Sequence, residues 1–242
     1  MEHPLPAPAT KHLATLQHPL PRGGAVTLQQ RASEADNTTG TTLWTGAQVL
    51  SAYLSKTVSS STEKQTTVLE LGAGIGFLAL ALAEAGLDVV TTDIEPVLSV
   101  LSRNVGNCAA SLPAGSGSVR VAELDWLAED RPAAIAALDL PHIDMVVTAD
   151  TVYAPHLSPA LWATLAAVCR PDPAAGHAGV PLYIALERRD PGLVDSSLEI
   201  GRQAGCDLRR VAHGRVAKIV ERTWGWKPED WEGVEVWKGR FK

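Results

Sequence analysis

The sequence is poor in cysteine, and Cys108, Cys169 and Cys206 are far apart with no C-x-x-C pair among them. An odd number of thiols without metal-ligand spacing indicates structural cysteines in a reducing compartment. The seven histidines show no ligand spacing either. The sequence therefore argues against a metal site.

Long apolar runs are also missing, since none approaches the roughly 18 to 20 residues that a membrane-spanning helix needs. The start of the sequence, MEHPLPAPATKHLATLQHPLPRGG, lacks a continuous apolar core behind a basic beginning, so no secretory signal is expected there. A net charge of −6 argues against a broad nucleic-acid-binding face. We expect a cytoplasmic or nuclear location, or both, with no membrane association and no direct nucleic-acid partner; the oligomeric state stays open.

The domain organisation follows from length and composition. A chain of 242 residues suits one well-buried α/β domain. Residues 1–24 are rich in proline and are expected to be partly disordered. We therefore predict a single domain over residues 25–242, beginning with a helix in TTLWTGAQVLSAYL.

Strand patterns alternate with helix patterns through the rest of the chain. The predicted strands are TVLELG, DVVTTD, VRVAELDW, IDMVVTAD and VPLYIALE. CDLRRVAHG and GVEVWKGRF follow as extended patterns with no crossover helix between them, which favours an antiparallel pair. The prediction is an α/β fold with a Rossmann-like, seven-stranded, mostly parallel sheet, an antiparallel last strand and helices on both faces.

A glycine-rich turn follows the first predicted strand of this sheet. VLELGAGIGFLAL places Gly72, Gly74 and Gly76 directly before a helix. Ligands of open α/β sheets bind at the carboxyl ends of the strands, where such a turn meets a helix N-terminus. The dinucleotide fingerprint G-x-G-x-x-G/A is missed by one position, because Phe77 stands where a small residue is required.

Carboxylates stand at the ends of three successive predicted strands. Asp93 can accept two hydrogen bonds from a ribose diol. Asp125 can accept from an adenine amino group, with the Trp126 ring beside the base. Together with Glu70, these acidic groups disfavour a phosphate-rich ligand and favour a nucleoside that carries positive charge. S-adenosylmethionine, with its sulfonium and ammonium, is the cofactor that fits.

The same residues resemble a known family. LELGAGIGFLALALAEAG, VVTTDIEPVLSVLSRNV, ELDW and VVTADTVY together look like the seven-strand, S-adenosylmethionine-dependent protein-lysine methyltransferases. The resemblance runs from about Leu43 to Lys242. LYIALERRD and VEVWKGRF are similar to the branch called methyltransferase-like protein twenty-two.

The resemblance implies cofactor-binding roles for several residues. Glu70, Gly72 and Gly74 would line the methionine and ribose end of the cofactor. Asp93 would bind the ribose hydroxyls, and Trp126 would lie near the adenine.

The resemblance implies a cofactor-binding role for two further residues. Ala149 would touch the cofactor through its backbone. Trp44 matches a tryptophan that precedes the first core helix of the family and reaches the cofactor. The family often has a small residue or proline after that tryptophan, whereas this sequence has Thr45 followed by Gly46.

The resemblance assigns the D-x-x-Y motif, Asp150 to Tyr153, to catalysis, facing the methyl group and the incoming lysine. Methyl transfer is an in-line displacement that needs a neutral amine, whereas lysine in water has a pKa near 10.4. A sulfonium and a desolvated slot lower that pKa, while a carboxylate raises it. Asp150 is therefore expected to capture and orient the amine rather than to act as a strong general base. Tyr153 would wall the channel and attract the cation through its ring face.

Structural explanations compete with these roles. Asp150 can instead be a helix N-cap and Tyr153 a half-buried aromatic residue. TWGWKPEDW holds three tryptophans that either form a recognition surface or pack a loop onto the sheet. Glu187 and Arg188 either shape the substrate entrance or pair with each other.

The function predicted is methyl transfer from S-adenosylmethionine to the ε-amine of a lysine in a protein substrate. The first alternative is a small-molecule N-methyltransferase, which the D-x-x-Y motif disfavours. The second is a non-catalytic interaction subunit that retains the fold, which the intact glycines and the acidic strand ends disfavour.

Overall fold

The computed structural model describes residues 3–31, 40–58, 65–140, 142–171 and 179–242. The strands are β1 Thr15–Pro19, β2 Ala25–Gln29, β3 Thr67–Leu71, β4 Asp88–Asp93, β5 Val119–Glu123, β6 Met145–Ala149, β7 Leu182–Glu187, β8 Cys206–Arg210 and β9 Val234–Phe241. The α-helices are α1 Thr45–Thr57, α2 Phe77–Glu84, α3 Val97–Cys108, α4 Arg131–Ala136, α5 Ser158–Cys169, α6 Pro191–Gln203 and α7 His213–Trp224.

A seven-stranded sheet with the order β5-β4-β3-β6-β7-β9-β8 forms the centre of the fold. The strands from β5 to β7 pair in parallel, and β9 runs antiparallel to both β7 and β8. Runs of valine and leucine make β3 and β6 suitable for burial on both faces. The predicted seven-stranded Rossmann-like sheet with an antiparallel last strand is confirmed.

Helices cover both faces of this sheet. Alternate side chains of β3 enter different cores, with Val68 packing in one cluster and Leu69 in the other. The first cluster includes apolar residues of α1, α2 and α7, and the second includes those of α5 and α6. The central sheet thus lies between two packed layers.

The connection between β8 and β9 differs from the prediction. No crossover helix was expected there, but α7 occupies His213–Trp224. Val216, Val220 and Trp224 are its buried residues, and they recur at every fourth position. Ile219 packs beside them, so the segment carries a helical period that the expectation of extended structure overlooked. The predicted antiparallel pairing of β8 with β9 is nevertheless present.

The N-terminal segment also differs from the expectation of partial disorder over residues 1–24. Met1 and Glu2 lie outside the described residues, but β1 pairs with β2 in an antiparallel hairpin. Leu16 and Leu20 are buried in the core beside α2. The alternation of inward and outward residues along β1 outweighs the high proline content, because the prolines stand at strand ends and turns.

Two predicted loops fall largely outside the described residues, namely parts of SKTVSSSTEKQT and of RPDPAAGHAG. In the part of the chain that is described, no helix has the length and apolar character needed to cross a membrane.

Candidate functional site

A cavity of about 320 Å³ opens at the carboxyl ends of the parallel strands. Its wall combines the turn after β3, the residues after β6 and β7, and the segment that leads into α1. All but one of the predicted cofactor-binding and catalytic residues line it: Trp44, Glu70, Gly72, Gly74, Asp93, Trp126, Ala149, Asp150 and Tyr153. The fold therefore brings residues from five separate segments to one place.

The glycine turn is closely packed against the cavity wall. Gly72, Gly74 and Gly76 have φ values of 68°, 57° and 87°, the left-handed region that glycine adopts without strain. A Cβ on Gly72 would come within 2.5 Å of the Thr151 Cγ2 atom and 3.1 Å of the Trp126 ring. The glycine at this position thus allows three wall segments to meet.

Asp93 joins the end of β4 to this turn. Its Oδ2 atom accepts a hydrogen bond of 2.8 Å from the Gly74 backbone N–H, and its Oδ1 atom accepts one of 2.9 Å from the Ile94 N–H. Burial raises the pKa of Asp93, and these two hydrogen bonds oppose the rise. A carboxylate has about four acceptor sites, so two hydrogen bonds leave capacity for a ligand.

Glu70 is a buried carboxyl group in β3 at the base of the cavity. The Thr91 hydroxyl donates a hydrogen bond of 2.6 Å to its Oε2 atom. Burial raises the pKa of Glu70 to about 8, the Thr91 hydrogen bond opposes the rise, and the charge of Asp93 adds to it. Glu70 therefore holds a proton near neutral pH unless a cation lies beside it.

Asp125 is the one predicted cofactor-binding residue that does not line the cavity. β5 ends at Glu123, so Asp125 lies in the loop, where its side chain is exposed. Its Oδ1 atom accepts a hydrogen bond of 2.8 Å from the Leu127 N–H, which turns the carboxylate back onto its own loop. Trp126, between them in sequence, faces the cavity instead.

Asp150 lies at the junction of the cavity with the first turn of α1. Its φ of 58° places a non-glycine residue in the left-handed region. The Oδ2 atom accepts a hydrogen bond of 3.3 Å from the Ala47 N–H. A Cβ on Gly46 would overlap the carboxylate oxygens, so glycine permits this approach. Asp150 is not the N-cap residue of α1, which is Trp44, but its carboxylate accepts from the first turn of that helix in the way that an N-cap side chain does.

The electrostatic surroundings of Asp150 favour its protonated form. Burial raises the pKa of Asp150 to about 7, and the negative charge of Glu187 adds to the rise. Arg189 and the backbone N–H groups of Ala47 and Gly46 oppose it. This carboxyl group therefore titrates close to neutral pH.

The mouth of the cavity carries an exposed tyrosine and a tryptophan that contacts cations. Tyr153 is 49% exposed. The Arg189 guanidinium lies 4.5 Å from the centroid of the Trp44 ring, and the Lys11 Nζ atom lies 3.5 Å from it. Sequence reasoning missed Arg189, which lines the cavity, and Lys11, which contacts Trp44, because no local pattern marks contacts between distant segments.

The predicted pairing of Glu187 with Arg188 is not formed. Glu187 lines the cavity and accepts a hydrogen bond of 2.6 Å from Arg189. Arg188 instead contacts Asp195 at 2.7 Å and Glu235 at 2.9 Å. Glu187 thus belongs to the entrance, whereas Arg188 does not line the cavity.

The tryptophans of TWGWKPEDW are buried packing residues. Trp224 donates a hydrogen bond of 3.0 Å to the Gln48 carbonyl of α1, and Trp226 donates one of 2.6 Å to the Pro4 carbonyl. Trp231 is 3% exposed and stacks on His213. These contacts favour the packing alternative, because the rings fix the N-terminal segment and α7 against α1.

Among the residues that the structure describes, no group of three or more histidine, cysteine or acidic residues is placed to bind a metal ion.

Solved structures with this fold include the glycopeptide N-methyltransferase MtfA complexed with S-adenosyl-L-methionine. Its TM-score is 0.53 at 13% identity, and the alignment covers 81% of this chain and 94% of that one. At this identity the likeness concerns the fold alone.

Two of the following curated relatives are named as lysine methyltransferases of proteins, and the third is named as methyltransferase-like. The human protein-lysine N-methyltransferase EEF2KMT is 32% identical over 184 residues, covering 71% of this chain and 53% of its own length. The zebrafish (Danio rerio) protein N-lysine methyltransferase METTL21A is 36% identical over 127 residues, covering 51% and 52%. Human methyltransferase-like protein 22 is 36% identical over 92 residues, covering 38% and 22%. The chain thus spans about half the length of these relatives, or less.

A family model described as lysine methyltransferase matches residues 25–193, which is more than half of the chain. This match includes the glycine turn, the acidic strand ends and the D-x-x-Y motif. The resemblance read from the sequence is therefore confirmed, and the chain belongs to the lysine methyltransferase family.

Proposed function

We propose that the chain transfers a methyl group from S-adenosylmethionine to the ε-amine of a lysine in a protein substrate. One observation carries this function: a single cavity holds both the glycine turn with Asp93 and the D-x-x-Y residues Asp150 and Tyr153. A cofactor in contact with the first group would thus lie beside the second. The printed names of the curated relatives support protein lysine as the acceptor.

The cavity residues fit an adenosine that carries positive charge. Asp93 has free acceptor capacity for ribose hydroxyls, and the Trp126 ring offers a stacking surface for adenine. Gly72 lets the turn pack against Thr151 and Trp126, which closes the wall at this point. Glu70, at the base, gains its negative charge when a cation lies beside it. Bound there, the cofactor supplies an electrophilic methyl group.

Asp125 is less well suited to the predicted contact with adenine. Its carboxylate is bound to the Leu127 N–H and lies off the cavity wall. Ala149 lines the wall at the end of β6, which supports its proposed backbone contact.

Asp150 and Tyr153 suit the capture of a lysine amine. The carboxyl group of Asp150 attracts the ammonium, and its pKa of about 7 also allows it to take up the proton that the amine must lose. Tyr153, exposed at the mouth, offers its ring face to the incoming cation. The raised pKa adds a proton-accepting role to the orienting role inferred from the sequence.

We further propose a cytoplasmic or nuclear location and no direct nucleic-acid partner. The three cysteines are free and buried, which supports a reducing compartment. The net charge of −6 disfavours binding to phosphate backbones.

Incubation of the 242-residue chain with cell extract and methyl-labelled S-adenosylmethionine tests the function. Label on a protein band, assigned to lysine by mass spectrometry, is the expected result. Asp150→Asn is the control that should lose the label while binding the cofactor. Label confined to small metabolites would favour a small-molecule N-methyltransferase. Calorimetry that detects no cofactor binding would favour a non-catalytic subunit.

A further inference from the structure

A lysine of the chain itself contacts a residue of the cavity wall, although it is not part of that wall. The Lys11 Nζ atom is 3.5 Å from the centroid of the Trp44 ring, and Trp44 lines the cavity. A cation over the face of a tryptophan is attracted by the ring quadrupole, an arrangement that proteins use to bind alkylammonium groups. The face of Trp44 thus provides a site for a lysine ammonium, and Lys11 contacts it.

The charges around Lys11 are those of the proposed catalytic end of the cavity. Burial lowers the pKa of Lys11, and the positive charge of Arg189 adds to this effect. Glu187 and Asp150 act in the opposite sense, so both carboxyl groups lie within electrostatic reach of the Lys11 amine. A lowered pKa increases the fraction of neutral amine, which is the form that attacks a methyl group.

The backbone that carries Lys11 is held in place by hydrogen bonds. Lys11 lies in a turn that is closed by a hydrogen bond of 3.0 Å from the Leu13 N–H to the Thr10 carbonyl. The buried Gln30 side chain donates to the carbonyls of Thr10 and Leu13, at 2.9 and 3.0 Å. The Gln30 Oε1 atom accepts a hydrogen bond of 2.7 Å from the N–H of Leu43, the residue before Trp44. One glutamine thus ties the Lys11 turn to the segment that carries the tryptophan.

Other lysines of the described chain lie in different surroundings. Lys56 is exposed in the last turn of α1. Lys238 lies over the rings of Tyr53 and Tyr183, which do not line the cavity. Lys11 differs from these two lysines because the ring that it contacts, Trp44, is part of the cavity wall.

We propose that Lys11 is an intramolecular methyl acceptor, modified by the active site of its own chain. This inference rests on the proposed function. In the reaction the Lys11 ammonium gives a proton to the Asp150 carboxylate, and the neutral amine attacks the methyl carbon of S-adenosylmethionine. The N–C bond forms as the C–S bond breaks, leaving S-adenosylhomocysteine as a neutral thioether. No oxidant or reductant is required.

Mass spectrometry of the purified 242-residue chain tests the proposal, as isolated and after incubation with methyl-labelled S-adenosylmethionine and no other protein. We expect methyl groups on Lys11. Lys11→Arg should lose the label, and the matched surface variant Lys56→Arg should keep it. Calorimetry should show that Lys11→Arg still binds the cofactor, which separates loss of the acceptor from loss of the fold.

The intramolecular route predicts that the labelling rate per chain does not change on dilution. Lys11→Arg is first shown to label cell-extract proteins and is then mixed with Asp150→Asn, which keeps Lys11; this mixture should give no label on Lys11. Label on Lys11 of the Asp150→Asn chain would overturn the intramolecular claim.

An unmodified Lys11 would overturn the proposal in every case. If proteins of a cell extract are labelled while Lys11 is not, the proposed function stands and only this inference fails. If neither is labelled, the proposed function fails as well.

Discussion

Binding of S-adenosylmethionine is expected to release protons at pH 7. The pKa of Glu70 is about 8 in the structure, so roughly nine in ten chains hold a proton there at pH 7. The pKa of Asp150 is about 7, so about half of the chains hold one there. A sulfonium and an ammonium nearby favour both carboxylates and lower both pKa values. Full ionisation would release up to about 1.4 protons for each cofactor bound.

Calorimetry in two buffers with different ionisation enthalpies measures this number, because the released protons are taken up by the buffer. Glu70→Gln should reduce the release to about 0.5 proton, and Asp150→Asn should reduce it to about 0.9. Since binding releases protons, the affinity should rise with pH up to about 8 and then level off. Equal binding heats in both buffers for the unsubstituted chain would refute this account of Glu70 and Asp150.

Three substitutions test other parts of the cavity. Asp93→Ala should weaken cofactor binding at least about tenfold in calorimetry, since a charge-assisted contact contributes about 1.5 to 3 kcal/mol; an unchanged affinity would contradict the ribose role. Asp150→Ala should abolish most turnover in a labelling assay even at saturating cofactor, and an active variant would disprove its role. Gly46→Ala should lower the midpoint of thermal unfolding, because its Cβ overlaps the Asp150 carboxylate; an unchanged midpoint would show that α1 shifts freely.

The parts of the fold that depend on local patterns were predictable. The alternation of strands and helices gave the central sheet, and the spacing of Gly72, Gly74 and Gly76 gave the turn that forms the cavity wall. Their conformations are determined by nearby residues, so a sequence read segment by segment contains the signal. The acidic strand end at Asp93 was placed correctly for the same reason.

The parts that depend on distant contacts were not predictable. α7, which was missed, is an exception, because its apolar residues recur at helical spacing and its signal is present in the sequence. Asp125 and Trp126 are adjacent in sequence, yet Trp126 lines the cavity whereas the Asp125 carboxylate is hydrogen-bonded to its own loop. Lys11 lies against Trp44 because the Gln30 side chain holds their two backbone segments together. Such contacts arise from tertiary packing, which no local pattern records.

The position of β9 between β7 and β8 has a consequence for biosynthesis. Residues 234–241 are made after every other strand of the sheet, yet they form an interior strand. While they are still inside the ribosome, β7 has an unpaired edge and β8 has no neighbour to pair with. The nascent chain therefore cannot close its sheet vectorially, and its exposed edge offers a binding site for a chaperone or for a misplaced strand until translation has passed this point.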